Sequence, residues 1–508
     1  MTKLPFYEKV GYAMGDAAAN LVWRGALAYL AVFYTDTFGI SAAAAAMLFL
    51  VVRLSDGITD IIMGMIADRT NTRWGKFRPW ILWSTPALGL FMVLSFTTPN
   101  LDAGGKLIYA YITYIGLTLA YTLNNVPYSA LMGVMTDDDK ERTSLSGYRF
   151  AGAFLGGLFV MGFLPEMVAY FGQGDDATGY QYTMYVFAGF LVALMVITFA
   201  TTKERVQLAT EHSTSLASEL KDLTKNLPFI ILPLLATTLF FYYRNLTTGL
   251  FFVVIMALVY LAIKRLINQD TSQISSSQQD IIDLLTNKPW LILLGMGFLT
   301  MMFNGIKYGV IAYYFKYYIG DNLLTGQYFV GLLVVSIAGA LCTSPLSKWL
   351  GRKQLFIIAL IISSLLTGAI FWVPKGDVFS IFLIGCSAEF FAAILPTLFF
   401  SMLGDSADYS EWKNHRRATG LIYSAGTFVQ KTGGGFAGAL VLVVLSGYGY
   451  DGMDATTIEA SLPGMQWLMS WIPAAFGFAA ALLMMTYPIS DSMQQNMSLE
   501  LAQRRQSS

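Results

Sequence analysis

Arg53, Asp56 and Asp60 fall in one apolar stretch, at steps that bring all three to one face of a helix. Two carboxylates a turn apart repel each other unless a cation, a proton or an arginine lies between them. An oxygen-rich pair of this kind suits a hard cation such as sodium, with Asp56 and Asp60 as its metal ligands. Thr59 can add a hydroxyl beside the pair, and Thr122, in a later apolar stretch, can supply another. The competing account is a structural network in which Arg53 neutralises one Asp and a proton the other. A charge at mid-membrane costs about 2.5–3.5 kcal/mol on insertion scales, so each such residue is a functional candidate by default.

A second polar stripe runs through Asp16, Asn20 and Arg24, one residue in four, with Trp23 beside it. It must face a cavity or another helix, and a carboxylate next to an aromatic ring suits the hydroxyls and C–H faces of a sugar. Tyr121, Thr122, Asn124 and Asn125 precede Pro127, and Arg149 begins a further apolar stretch. Interhelical hydrogen bonding is an equal alternative for Asn124 and Asn125. Near the C-terminus Tyr423, Thr427 and Lys431 share a face, with Gln430 adjacent and Gly433, Gly434 and Gly435 following. Lys431 lies mid-stretch, which calls for a carboxylate partner. Glu389 is another isolated charge, suited equally to structural pairing and to substrate contact. Asn304, Lys307, Tyr308, Tyr313 and Tyr314 suit the outer part of a sugar path or an interfacial aromatic belt.

The elements that must hold these groups follow from composition. The chain has 508 residues, 55% hydrophobic and 13% charged, with a mean hydropathy of +0.55. A soluble domain carries about 25% charged residues, so a large soluble enzyme is excluded. The 32 basic residues balance 32 acidic ones, which argues against a nucleic-acid partner. Two Cys and two His make disulfide frameworks and Cys/His metal centres poor candidates. What remains is an all-α polytopic membrane protein whose first partner is the lipid bilayer.

About fourteen stretches are long enough to span. Six lie near 10–34, 43–67, 79–98, 107–134, 146–171 and 181–201; two shorter ones lie near 228–243 and 246–263; six more lie near 289–317, 326–347, 354–374, 378–403, 418–447 and 465–487. The first carries Asp16, Asn20 and Arg24 and reads as a span, not as a cleaved signal peptide. Lys and Arg gather at Arg69–Arg78, Lys140–Arg142, Lys203–Arg205, Lys348–Lys353 and Lys413–Arg417. The loops Thr35–Ile40, Phe171–Tyr180, Ile319–Thr325 and Ser446–Gly464 hold none, and only Lys106 and Lys375 break the pattern. The positive-inside rule then puts both termini in the cytoplasm, with an even number of spans.

The expected domains are a six-helix bundle over 1–201, cytoplasmic linkers over 202–288, a second six-helix bundle over 289–490, and a cytoplasmic tail over 491–508. The linkers enclose an inserted transmembrane hairpin near 228–263. Asp222-Leu223, Asn226, Pro228 and Phe229 before the hairpin are echoed by Asp283-Leu284, Asn287, Pro289 and Trp290 after it, as in a local duplication. Two parallel six-helix repeats with a site at their interface are the major-facilitator plan. Gly64-x-x-x-Asp68-Arg69 is similar to the loop motif of that superfamily.

Taken in order, several motifs resemble the glycoside–pentoside–hexuronide:cation symporter family, of the melibiose-permease type. They are Gly15-Asp16, Tyr34-Thr35-Asp36, Arg53-x-x-Asp56-x-x-x-Asp60-x-x-Met63-Gly64 and Arg73-Trp74-Gly75-Lys76-Phe77-Arg78-Pro79-Trp80. Tyr121-Thr122-x-x-Asn125-Val126-Pro127, Arg149-Phe150, Gly404-Asp405-x-x-Asp408-Tyr409-x-Glu411, and Tyr423-Ser424 followed by Lys431 complete the set. The match covers nearly the whole chain outside the hairpin. It implies a major facilitator fold and symport of a glycoside, pentoside or hexuronide with sodium or a proton, by alternating access, and no enzyme activity or cofactor. Asp56, Asp60 and Thr122 then stand as cation-coupling residues, with Thr59 where the melibiose type has an asparagine. Asp16 and Arg149 stand as sugar ligands, and Lys431 as a lysine near both ligands. The expected substrate-binding set is therefore Asp16, Asn20, Arg24, Asn125, Arg149 and Lys431.

The chain departs from the melibiose type in three places: Gly15 stands for a lysine, Asn125 for an aspartate and Ser129 for a tryptophan. With Arg24 added, the pocket is less acidic, and the expected substrate is a sugar other than melibiose, uronides and other acidic sugars included. The expected setting is the bacterial cytoplasmic membrane, as a monomer. The rival from another class is a membrane sugar sensor on the same fold that binds without transporting. An enzyme acting on lipid-linked sugars is disfavoured, because no extramembrane loop carries paired carboxylates or a Ser/His motif.

Overall fold

The computed structural model describes residues 4–136, 139–205, 282–414 and 419–507, with isolated positions between 236 and 261. All regular structure among these residues is helical. In chain order the helices are α1 (Phe6–Val32), α2 (Ala42–Arg69), α3 (Arg78–Ser95), α4 (Ala103–Met135), α5 (Asp139–Gly172) and α6 (Asp176–Thr201). Then come α7 (Lys288–Tyr313), α8 (Leu323–Leu350), α9 (Arg352–Ala369), α10 (Val378–Ala392), α11 (Ile394–Asn414), α12 (Thr419–Gly447), α13 (Ala455–Met469), α14 (Trp471–Met485) and α15 (Asp491–Ser507). Eight helical segments among the described residues are long and apolar enough to cross a membrane. The hairpin expected near 228–263 lies largely outside the described residues.

Each of the other twelve expected stretches coincides with helix, but two contain a break. The stretch from 378 divides between Ala392 and Ile394, and the last one divides at Ser470. Proline explains both. Pro396 and Pro473 have no N–H for the carbonyls four residues back, at Ala392 and Met469, and their rings crowd those carbonyls. The helix stops at that carbonyl and restarts just before the proline. Polar caps mark several other starts: the side chains of Ser41, Asp102, Asp175 and Asp377 accept backbone N–H groups at the first turns of α2, α4, α6 and α10.

The chain forms two compact units. The first comprises Met1–Pro228, Ile311–Leu333 and Leu442–Leu462; the second comprises Phe229–Val310, Val334–Val441 and Pro463–Ser508. In the first, α1 packs against α5 and α6, α3 against α4 and α6, and α2 against α4. Small residues allow the closest of these approaches. A Cβ at Gly152 would run into the carbonyl of Ala13, and one at Gly156 into that of Ala17, so only glycine lets α5 lie this near α1.

The Arg73–Trp80 motif has a structural role at one end of this unit. Glu204 accepts backbone N–H groups from Lys76 (2.8 Å), Phe77 (2.8 Å) and Arg78 (3.0 Å), filling the anion site at the start of α3. Gly75 holds φ at +108°, and a Cβ there would collide with that carboxylate. Arg78 donates to the Phe199 carbonyl at 2.7 Å, and Arg205 forms a double hydrogen bond with Glu8 at 2.8 Å each. The exit of α6 is thus tied to the α2–α3 turn and to the start of α1.

In the second unit α9 packs on α14, α10 and α11 around Leu360, Leu395, Leu398, Phe399 and Met484. The terminal helix α15 lies against α11, burying Met497 and Leu501, and Trp412 donates to Glu500 at 2.6 Å.

Replacing Gly156 by leucine forces α1 and α5 apart and costs about 1–3 kcal/mol as overpacking. The expected outcome is a lowered melting temperature of the detergent-purified protein, whereas Gly133→Ala, where a Cβ meets nothing within 4 Å, does not lower it.

Candidate functional site

Helix α2 presents Asp56 and Asp60 toward α4, and there they meet Thr122. The threonine hydroxyl lies 3.2 Å from Asp56 Oδ1 and 3.0 Å from Asp60 Oδ1. A hydroxyl has one proton to give, so it donates to one carboxylate at a time. Asp56 and Thr122 are almost wholly buried, at 3% and 2% exposure. The two acidic groups thus converge on one small centre lined by oxygen, as the spacing on α2 suggests. Thr59 turns elsewhere: its hydroxyl donates to the Asp56 backbone carbonyl at 3.0 Å. That bond is the local alternative open to any helical threonine.

The second group forms around α1 and α5. Arg149 on α5 donates from Nε to Asp16 Oδ2 at 3.2 Å and from a terminal nitrogen to Ser129 Oγ at 3.2 Å. Tyr12 and Tyr128 frame the pair. Their rings stack with centroids 4.7 Å apart, and each hydroxyl donates to the other residue's carbonyl, at 3.3 and 2.6 Å. The Tyr128 ring fills the space beside Gly15, which leaves no room for a side chain there.

Above Asp16 on the same helix, Asn20 donates to the Asp16 carbonyl at 2.9 Å and accepts from Arg24 Nε at 3.2 Å. The Arg24 stem crosses α5 at Gly157, where a Cβ would come within 2.5 Å of its Cδ. Its guanidinium forms no salt bridge among the described residues. Trp23 stacks on Tyr121 with centroids 5.3 Å apart and planes at 26°.

Tyr121 connects the two groups. It lies one residue before Thr122 and within electrostatic reach of Asp16 and Arg149 on one side and of Asp56 and Asp60 on the other. Asn124 and Asn125, alike in sequence, do different things. Asn124 donates to the Ile81 carbonyl (3.2 Å) and to Ser84 (3.0 Å), joining α4 to α3. Both leave a buried side-chain oxygen with no hydrogen-bond partner, so the bonds to α3 are what separates them.

In the second unit, Lys431 is half-buried on α12. Glu389 and Lys307, two separate oddities in the sequence, pair with each other at 2.6 Å, both almost wholly buried. Tyr308 and Ser336 donate to the other Glu389 oxygen at 3.0 and 2.9 Å, which completes the acceptor.

A further cluster was not anticipated. Asp36 accepts from Lys316, Tyr317, Tyr450 and Thr35, residues far apart in the chain. Its sequence signals are the Tyr34-Thr35-Asp36 motif and an acidic residue at the end of a span, in a loop without basic residues; neither names the partners.

With this geometry in hand, the relatives can be placed beside it. The profile of the MFS/sugar transport protein family matches residues 11–246 and 240–491. The chain belongs to this family, the glycoside–pentoside–hexuronide:cation symporters. The inner membrane symporter YicJ of Escherichia coli K12 is 30% identical, over 94% of this chain and 91% of its own. The isoprimeverose transporter of Lactiplantibacillus pentosus is 29% identical over 99% and 92%. The glucuronide carrier protein homolog of E. coli K12 is 26% identical over 98% and 95%. Among solved structures, a bacterial homologue of the human lysosomal transporter Spinster shares the fold, with a TM-score of 0.63 at 14% identity, over 96% of this chain and all of the other. The protein is therefore a sugar symporter of the major facilitator superfamily and not an enzyme.

Because the Thr122 hydroxyl is shared by two carboxylates, Thr122→Val removes a charge-assisted hydrogen bond worth about 1.5–3 kcal/mol. Apparent affinity for the coupling cation, measured by cation-dependent uptake, falls about tenfold or more, and Thr122→Ser restores most of it.

Proposed function

We propose that this symporter accumulates a sugar by coupling its uptake to sodium or a proton at the Asp56–Asp60–Thr122 centre. The observation that carries the reading is the single hydroxyl reached by both carboxylates. Like charges this close, in a medium that screens them weakly, hold a cation or proton between them. Its arrival removes the repulsion between successive turns of α2 and lets α4 settle against them. Tyr121 and Asn125, on α4, then stand in register with Asp16 and Arg149 for the sugar. Each ligand favours the same arrangement, so each raises the affinity for the other, and that coupling is reciprocal in binding free energy.

The sugar set is Asp16, Asn20, Arg24, Asn125 and Arg149, with Lys431 assigned to it by the family resemblance. Asp16 and Arg149 offer an acceptor and a donor fork to neighbouring hydroxyls. The Trp23–Tyr121 stack offers an aromatic face to C–H groups. Thr59 belongs to the cation set only if its hydroxyl leaves the Asp56 carbonyl. Transport proceeds by alternating access of two six-helix bundles, 1–201 and 289–490, with the hairpin near 228–263 inserted between them. Both termini face the cytoplasm, and the protein works as a monomer in the bacterial cytoplasmic membrane.

A second reading concerns the sugar itself. Arg24 has no salt-bridge partner among the described residues, and Asn125 is uncharged. Both support a sugar carrying a carboxylate, a choice also suggested by the glucuronide carrier homolog; the isoprimeverose relative supports a neutral one. Uptake into membrane vesicles, over a panel of neutral and acidic glycosides with sodium and pH gradients imposed separately, decides among these. Asp56→Asn and Asp60→Asn each abolish gradient-driven accumulation, and undiminished uphill transport in both would remove the coupling assignment. Binding without counterflow in the unsubstituted protein would favour the sensor instead. Strong uptake of neutral xylosides with indifference to carboxylated sugars would dismiss the acidic substrate.

A further inference from the structure

Two helices end in a widened helical turn that lies in the first unit, Phe33–Thr37 after α1 and Tyr314–Ile319 after α7. Such π turns insert an extra residue into the helix and gather at functional positions. Here one carries Asp36 and the other carries Lys316 and Tyr317. The Asp36 side chain is 2% exposed, and both of its oxygens are engaged. Oδ2 accepts from Lys316 Nζ at 2.9 Å and from Tyr317 OH at 2.5 Å. Oδ1 accepts from Tyr450 OH at 2.6 Å and from Thr35 Oγ1 at 2.7 Å.

The surroundings reinforce the cluster. Tyr313 OH lies 3.1 Å from Thr35 Oγ1, and the Tyr450 ring meets those of Tyr313 and Tyr317 at 5.6 and 6.0 Å. Gly452 brings the chain after α12 so close that a Cβ would lie 2.5 Å from Asp36 Oδ1. Three segments, separated by 280 and 414 residues in sequence, therefore meet at one carboxylate. All three lie in or beside the loops without basic residues, Thr35–Ile40, Ile319–Thr325 and Ser446–Gly464, which the positive-inside rule places outside the cell.

A carboxylate with four donors is saturated, and a cluster this complete at the ends of three spans resists their separation. We infer that Asp36 is the acceptor of an outer clasp, joining the ends of α1, α7 and α12, which must open for sugar to be admitted from outside. The inference rests on the alternating access proposed above. Its positioning residues are Asp36, Lys316, Tyr317 and Tyr450, and none of them belongs to the sugar or cation sets. Removing the Asp36 charge leaves Lys316 facing a neutral amide and favours the opened form.

The test uses the full chain in proteoliposomes, with Cys342 and Cys386 replaced by alanine and spin labels on cysteines at the exposed positions Ala103 and Asn322. In the parent, pulsed EPR gives one dominant short distance. Asp36→Asn adds a longer population and lowers cation-driven accumulation about tenfold, while cation binding persists. Exchanging the charges, Asp36→Lys with Lys316→Asp, restores the short distance. Tyr450→Phe and Lys316→Gln shift the distribution in the same direction, so the test stands even if Asp36→Asn folds poorly. An unchanged distance distribution in all three single variants, with transport intact, would overturn the clasp alone. Absence of any cation-driven sugar transport in the parent would overturn the proposed function, and the distances would still report on the clasp.

Discussion

Two carboxylates that share one buried hydroxyl repel each other at a strength that bulk water would suppress and a protein interior does not. The surrounding packing follows from that constraint. Asp56 and Asp60 lie on one helix, so neither can retreat without moving α2 as a whole. Thr122 belongs to α4, so the state of the pair is felt there first. From α4 it reaches the next residue, Tyr121, whose stack on Trp23 joins α4 to α1. Between the proposed cation site and the proposed sugar stripe there is therefore a chain of packed rings and one hydroxyl, with no loop in it. In the proposed mechanism this shared element is what both ligands would bias.

Much of this was legible in the sequence, because helical periodicity is local. The steps 53–56–60 and 16–20–24 place charges on common faces whatever the fold, and the cost of burying them makes those faces functional candidates. The resemblance supplied which faces meet, and the structure places Thr122 against both acidic groups. Other features could not be read because they depend on contacts between distant segments. Glu389 and Lys307 looked like two unrelated charges until α7 and α10 brought them together. Asn124 and Asn125 are adjacent and chemically identical, yet a helix turns consecutive residues about 100° apart. Asn124 donates to α3 and Asn125 does not, while both keep an unmet acceptor oxygen. Thr59 shows the converse limit, since a helical hydroxyl always has its own backbone as a competing partner. The breaks before Pro396 and Pro473 were legible in principle, but hydropathy alone merges the helices on either side.

Helix α1 carries the argument one step further. Asp16, Asn20, Arg24 and Asp36 stand on a single helical rod, the π turn included, and from Asp16 to Asp36 it runs about 30 Å at the usual helical rise. The α5 glycines press α1 closely along its first half, while its far end is held by Tyr29 donating to the Met161 carbonyl, by the Phe33 ring against Phe96 and Tyr180, and by Asp36 with its donors. The glycine contacts are backbone against backbone, whereas the Asp36 end adds polar contacts that can exchange with water, so the proposed clasp lies at the end of the rod whose contacts are the more replaceable. A tilt of α1 that closed the proposed sugar ligands Asp16, Asn20 and Arg24 around a substrate would be carried along the helix toward its Asp36 end. In the proposed mechanism, substrate recognition and outer closure are then coupled through one helix, with buried charges near both of its ends.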